Sequence, residues 1–105
     1  MRLFYSDSEI TSAAQIVNLI QDNKMDYHTL NTDITDEGVY QLYLYLKSAL
    51  KPSLFSNVVI QTMDDLYNGI EEFKSNEPTD IRIEEELKYQ FQNVVLNAFV
   101  ENLKD

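Results

Sequence analysis

The sequence predicts a small α/β domain, a mixed sheet with helices on both faces. Three observations carry that reading. Short apolar and aromatic runs at Arg2–Tyr5 and Tyr27–Leu30, each closed by polar turn-forming residues, have the length and composition of strands. Between and after them, apolar residues recur at helical spacing. A further pair of short apolar runs follows Pro52 with two residues between them, as in a hairpin.

Leu3-Phe4-Tyr5 stops at Ser6-Asp7-Ser8, so the first element reads as a buried strand and Asp7 or Ser8 as the N-cap of the helix behind it. Ile10, Ala13, Ile16, Val17 and Ile20 give that helix its apolar stripe, ending near Asn23. Tyr27–Leu30 is the second strand, closed by Asn31–Asp33. Over 36–50, Val39, Leu42, Tyr43, Leu46 and Leu50 fit a helix, whereas Leu42, Leu44 and Leu46 alternate with tyrosines as in a strand. Length decides for helix, supported by an acidic first turn and Lys47 near the end. Pro52 bars further helix and keeps Lys51 extended. Ser53–Phe55 and Val58–Ile60 around Ser56-Asn57 read as the hairpin. Thr62, followed three residues later by Asp65, is a variant capping box before Leu66, Ile70 and Phe73, and the third helix ends in Lys74-Ser75-Asn76-Glu77-Pro78. From about Asp80 to Leu103, a stripe through Ile83, Leu87, Phe91, Val94, Val95, Ala98 and Phe99 predicts the longest helix, about 35 Å long. The resulting order is β-α-β-α-β-β-α-α, with a right-handed β-α-β unit at its start.

At 105 residues and 44% hydrophobic content, the chain fits one domain over 1–105. Eighteen acidic against eight basic residues leave a net charge of −10, which repels phosphate backbones and anionic lipid. Direct nucleic-acid or membrane binding is therefore not expected. The absence of cysteine excludes thiol-disulfide chemistry and thiolate metal sites, and His28 is the single histidine, so no metal site is expected. Neither an apolar span of membrane length nor a basic head with an apolar stretch is found, so a cytoplasmic protein is expected. Glu71-Glu72 and Glu84–Glu86 diverge around a helix axis and read as solvated faces. Tyr40, Tyr43, Tyr45 and Tyr67 cannot all enter so small a core; they either ring it or form an interface.

The order of elements and the residues within it resemble the thioredoxin fold in its glutaredoxin branch, as well as Spx and arsenate-reductase-like proteins and glutathione transferase amino-terminal domains. Leu3-Phe4-Tyr5-Ser6 resembles the strand leading to the active-site loop, and the family's Cys-x-x-Cys falls on Ile10-Thr11-Ser12-Ala13, with apolar residues at both cysteine positions. Pro52 is placed like the family's cis-proline. Gln61-Thr62-Met63-Asp64-Asp65 resembles the stretch that holds the γ-glutamyl end of glutathione at a helix start, without the family's glycines. The resemblance covers residues 2–73 and implies a four-stranded mixed sheet; the long final helix, about 80–103, stands outside it.

The resemblance, with the cysteines missing, implies a redox-inactive glutaredoxin-like module that binds another protein, with no catalytic residue assigned. Its groove would lie between Ile10, Thr11, Ser12 and Ala13 on one side and Pro52 on the other, with Tyr5 and Ser6 at the rim. Thr62, Met63, Asp64 and Asp65 would hold a glutathione-like ligand if one binds. Two alternatives remain open: an acidic decoy occupying a nucleic-acid-binding protein, and a glutathione-dependent enzyme using the Tyr5 or Ser6 hydroxyl. Self-association through the last helix or exposed tyrosines is a further possibility.

Overall fold

A computed structural model describes residues 2–6, 9–75 and 81–104. Five helices follow one another: α1 (Ala13–Gln21), α2 (Tyr27–Asp33), α3 (Asp36–Ala49), α4 (Leu54–Ser75) and α5 (Ile81–Lys104). Among the described residues there is no strand, and the β geometry consists of a single antiparallel bridge between Phe4 and Ile34. This overturns the α/β, thioredoxin-like and glutaredoxin-like expectation: the four-stranded sheet that defines such a fold is absent, and the segments assigned to it are helical or form one bridge.

Each departure has a local cause. At α1 the cap is Ser12, whose hydroxyl accepts from the Gln15 N–H while the Gln15 side chain returns to the Ser12 N–H, a full capping box. The helix therefore starts at Ala13, and the expected caps Asp7 and Ser8 lie outside the described residues. Asn23 ends it in the left-handed region at φ 57°. Its N–H donates to Ile20 and that of Lys24 to Leu19, the paired bonds of a Schellman turn, in which Asn substitutes for the usual Gly. Tyr27–Leu30, expected as a strand, opens α2 instead. The Asp26 carboxylate accepts from Thr29 N–H at 2.8 Å, and that bond holds its carboxyl below the ordinary range.

The expected hairpin at 53–60 is the first part of α4. Ser53 caps it: its hydroxyl accepts from the Ser56 N–H at 3.0 Å, and the buried Ser56 hydroxyl donates to the Lys51 carbonyl at 2.6 Å. From there Val59, Met63, Leu66 and Ile70 continue one inward stripe, so no strand is needed to bury them. The helix expected to start at Thr62 is thus the middle of a longer one. Where the spacing predicts helices over 36–50 and 80–103, α3 and α5 stand; the predicted break at Asn76-Glu77-Pro78 and the start at Asp80 lie outside the described residues.

The core draws on every helix and on the amino-terminal segment: Leu3, Phe4, Ile16, Leu30, Leu42, Leu46, Met63, Val95, Leu96 and Phe99 are fully buried. Each such side chain contributes about 1.5–3 kcal/mol relative to exposure. Helix α5 packs on α2, α3 and α4, while α1 packs on α3. The segment 2–5 is tied across the start of α3. Thr35 N–H donates to the Leu3 carbonyl at 2.9 Å, Tyr5 N–H to Asp33 at 2.8 Å, and the Thr35 hydroxyl to the Arg2 carbonyl at 2.7 Å. That hydroxyl also accepts from Gly38 N–H at 3.0 Å, making Thr35 both the cap of α3 and the anchor of the segment. No helix among the described residues is long and apolar enough to cross a membrane.

The two glycines give opposite predictions. A Cβ at Gly38 would run into the Leu3 carbonyl oxygen and stand 2.6 Å from Ile34 Cγ1, whereas at Gly69, inside α4, it meets nothing within 4 Å. Gly38→Ala should therefore destabilise by about 1–3 kcal/mol through overpacking, and Gly69→Ala should stabilise by about 0.5–1 kcal/mol through helix propensity. Urea unfolding of both variants measures this; a Gly38→Ala protein as stable as wild type would contradict the placement of the amino-terminal segment.

Candidate functional site

Residues 10–13, expected as an open loop facing Pro52, are otherwise engaged. Ile10 is buried in the core, Thr11 and Ser12 bond to Gln15 at the start of α1, and Ala13 is the first residue of that helix. They are a helix cap rather than an open loop. Tyr5 is exposed, and the exposed Ser6 hydroxyl donates to Asp33 Oδ2 at 3.3 Å. Thr62, Met63, Asp64 and Asp65 lie well inside α4, so the unpaired helix-start N–H groups on which ligand holding would rest are not there. Thr62 donates to the Val58 carbonyl, Met63 is fully buried, and Asp65 accepts from Gln61 at 2.8 Å.

Asp64 serves the core instead. The Tyr43 hydroxyl donates to it, and Lys47 lies 3.2 Å from the same carboxylate and 3.4 Å from the Tyr43 oxygen. Tyr43 also stacks on Tyr67 at 5.3 Å and meets the edge of Phe91 at 5.3 Å, and Tyr40 stacks on Tyr67 at 5.3 Å. Tyr45 meets Phe99 edge-on. The four central tyrosines are thus packed against the core, and the exposed ones are Tyr5, Tyr27 and Tyr89. Beside the stack, a cavity of about 310 Å³ is lined by Tyr40, Tyr67 and Phe91. Its lysines are already engaged, Lys88 with Asp36 at 3.4 Å and Glu84 at 3.5 Å, and Lys74 with Glu71 at 3.8 Å. Partial burial disfavours charge on Lys88, but the two carboxylates outweigh it and raise its pKa. His28 is exposed on α2, and no cluster of three or more potential metal ligands exists among the described residues.

Pro52 does take part in a surface, though not the one expected. The exposed segment Lys51-Pro52-Ser53 turns the chain from α3 into α4, and the Ser53–Ser56–Lys51 bonds fix the angle at which α4 departs. With that angle, the first turn of α4 points away from the core: Leu54 is 84% exposed, Phe55 77% and Val58 58%. Leu54 and Val58, four apart, share one face, and Phe55 turns toward a groove beside it. The groove holds about 660 Å³ between the end of α3, the start of α4 and the last turns of α5, with Leu50, Phe55, Val59, Val94 and Ala98 as its apolar walls and Lys51 and Glu101 as its charges.

Strand-type runs in the sequence assign Leu54, Phe55 and Val58 to a hairpin and give no hint of an exposed helical face. The signal that finds the face is Ser-x-x-Ser after a proline, a cap that starts the helix one turn before its stripe reaches the core. Comparison with known proteins gives no match, whether to protein-family models, curated proteins or solved structures.

The Tyr43 cluster is directly testable by pH. Burial, then donation to Asp64, raises the Tyr43 pKa above its ordinary 10.0, and the bond to Asp64 raises that of Lys47. A raised folded pKa means that the stability it confers is complete below the unfolded value and declines as pH climbs through the folded one. Denaturant midpoints should therefore decline above about pH 10, and less steeply in Tyr43→Phe; parallel decline in both proteins would contradict the cluster.

Proposed function

We propose that this protein works by binding another protein chain through the apolar face at the start of α4. One observation carries the reading: Leu54, Phe55 and Val58 stand in solvent within one helical turn, next to a groove with apolar walls. Single exposed apolar residues are ordinary, but a contiguous group beside a hollow exposes area that binding would remove from water. None of the three belongs to the buried core. An aromatic anchor beside a pocket is also the arrangement that concentrates binding energy in interfaces.

A second reading keeps the net charge of −10 in view: the chain could occupy a basic surface of a nucleic-acid-binding protein as an acidic decoy. Exposed Asp65, Glu71, Glu72, Glu85 and Glu86 on α4 and α5 support it. The two differ in salt dependence, since paired charges are screened and apolar burial is not.

The comparison that tests the reading uses wild type and the Leu54→Ser/Phe55→Ser double variant as baits, with each captured protein then purified and its affinity measured against both. A partner that binds wild type and binds the double variant at least tenfold more weakly, with little change in added salt, is the expected result. Equal affinity for both baits would contradict it, and equal affinity that collapses in salt would select the decoy.

A further inference from the structure

We infer that the groove beside Phe55 takes an extended peptide segment of a partner protein, free of acidic residues and held by its backbone through the carboxamide side chains of α5. The inference rests on the docking face proposed above and adds the chemistry of what enters it. The groove of about 660 Å³ does not end at the first turn of α4. A second hollow of about 440 Å³ continues it along the seam between α4 and α5, and Val94 lies in the wall of both. Phe55, Val59, Thr62 and Leu66, at helical spacing, follow one side of the seam, and Val94 and Ala98 follow the other. From Gln90 to Asn102, α5 runs about 18 Å, the length of about five residues of extended chain.

The groups that border this apolar floor select the occupant. Gln90, Asn93 and Asn97 stand at helical spacing on the α5 side, with Asn102 near the end. The Gln90 amide donates to Glu86 at 3.0 Å, which leaves its carbonyl oxygen as an acceptor. Asn97 Oδ1 accepts from the Tyr27 hydroxyl at 3.3 Å, which leaves its NH2 as a donor. Among the described residues the Asn93 and Asn102 side chains make no hydrogen bond, so each offers both. A helix bonds its own N–H and C=O groups internally and would lay side chains against these amides. An extended segment brings both backbone groups unpaired and needs partners for them when it leaves water. The pitch agrees as well. From Asn93 to Asn97 the helix rises about 6 Å, and two residues of extended chain, after which the same backbone edge returns, rise about 6.6 Å. Alternate side chains of the segment then fall on Val59, Leu66, Val94 and Ala98.

Charge narrows the segment further. The charged residues along the two hollows are Lys51, Asp65 and Glu101; Asp65 accepts from Gln61, and Glu101 is engaged within the chain. Recognition thus falls to neutral groups, which salt does not screen. Around them, ten excess negative charges repel any Asp or Glu.

Nuclear magnetic resonance titration of the full, isotopically labelled chain tests this with three blocked heptapeptides, Lys-X-Thr-X-Thr-X-Lys, where X is Val, Leu or Phe. Salt at about 0.5 M screens attraction between their lysines and the acidic chain. At least one peptide should bind below millimolar concentration and move the side-chain NH2 signals of Asn93, Asn97 and Asn102. Replacing the backbone N–H groups of either the X or the Thr residues by ester oxygens removes the donors of one edge; one of the two esters should bind at least tenfold more weakly. Asn93→Ala/Asn97→Ala favours the helix by propensity, so its circular dichroism should match wild type while its affinity drops at least fivefold. No binding by any of the three peptides at millimolar concentration overturns the inference, as does binding that both esters and the double variant leave unchanged. If the peptides fail while Leu54→Ser/Phe55→Ser still loses a captured partner, the docking face stands and the extended segment alone falls.

Discussion

Phe91, Val95, Leu96 and Phe99 are the buried row of α5, and α2, α3 and α4 all pack on this one helix. The architecture depends on that shared support. A helix of seven residues such as α2 is too short to persist alone, and even α3 and α4 gain most of their stability from an apolar face pressed on a neighbour. On the far side, α3 carries the amino-terminal segment: Thr35 and Gly38 let Leu3 and Phe4 cross its first turn, with the Leu3 carbonyl bonded to Thr35 N–H and the Tyr5 N–H to the Asp33 carbonyl. The molecule thus has one central helix, a second helix that relays the packing outward, and a short extended segment closing the assembly.

Support ends where α4 begins. The cap at Ser53 starts the helix before its apolar stripe has reached the core, and the first turn is left with apolar side chains that are mostly exposed. Polar groups show no corresponding shortfall: among the described residues, no buried side-chain nitrogen or oxygen lacks a hydrogen bond. Leu54 and Phe55 in this turn are the most exposed of the large apolar side chains among the described residues. Charge points the same way. The lysines at the tyrosine-lined cavity are paired with carboxylates, and Lys47 is held between Tyr43 and Asp64. Much of the cationic chemistry thus serves the fold, and the surplus of acid faces solvent.

Much of the helix content is legible in the sequence, and the fold class is not. Over 36–50 length decides between two periods, and over 80–103 a long stripe does; α3 and α5 are the helices so expected. Runs of three or four residues are not. Tyr27–Leu30 and Val58–Ile60 have strand-forming side chains, yet Asp26 and Ser53 stand where a helix cap must stand, and capping with tertiary packing overrides propensity. Once short segments such as these pass for strands, their order among the helices produces the likeness to a thioredoxin fold. Residues 10–13 then look like a degenerate active-site loop, although Ser12-x-x-Gln15 is a capping box on its face. The candidate surface is hidden by the same error, since a hairpin over 53–60 leaves no helical turn on which Leu54, Phe55 and Val58 could stand together. Pro52 is a true landmark in the sequence, but it marks the turn into α4 and not the wall of a redox cleft.

The central claim is that α4 runs unbroken from Leu54, because the exposed turn and the groove exist only if it does. Backbone chemical shifts of the isotopically labelled protein report this residue by residue. Helical Cα shifts without interruption over 54–75, with Ser53 extended ahead of them, are the predicted result. Strand-type shifts at 53–55 and 58–60 on either side of a turn at Ser56-Asn57 would contradict the account and remove the surface with it.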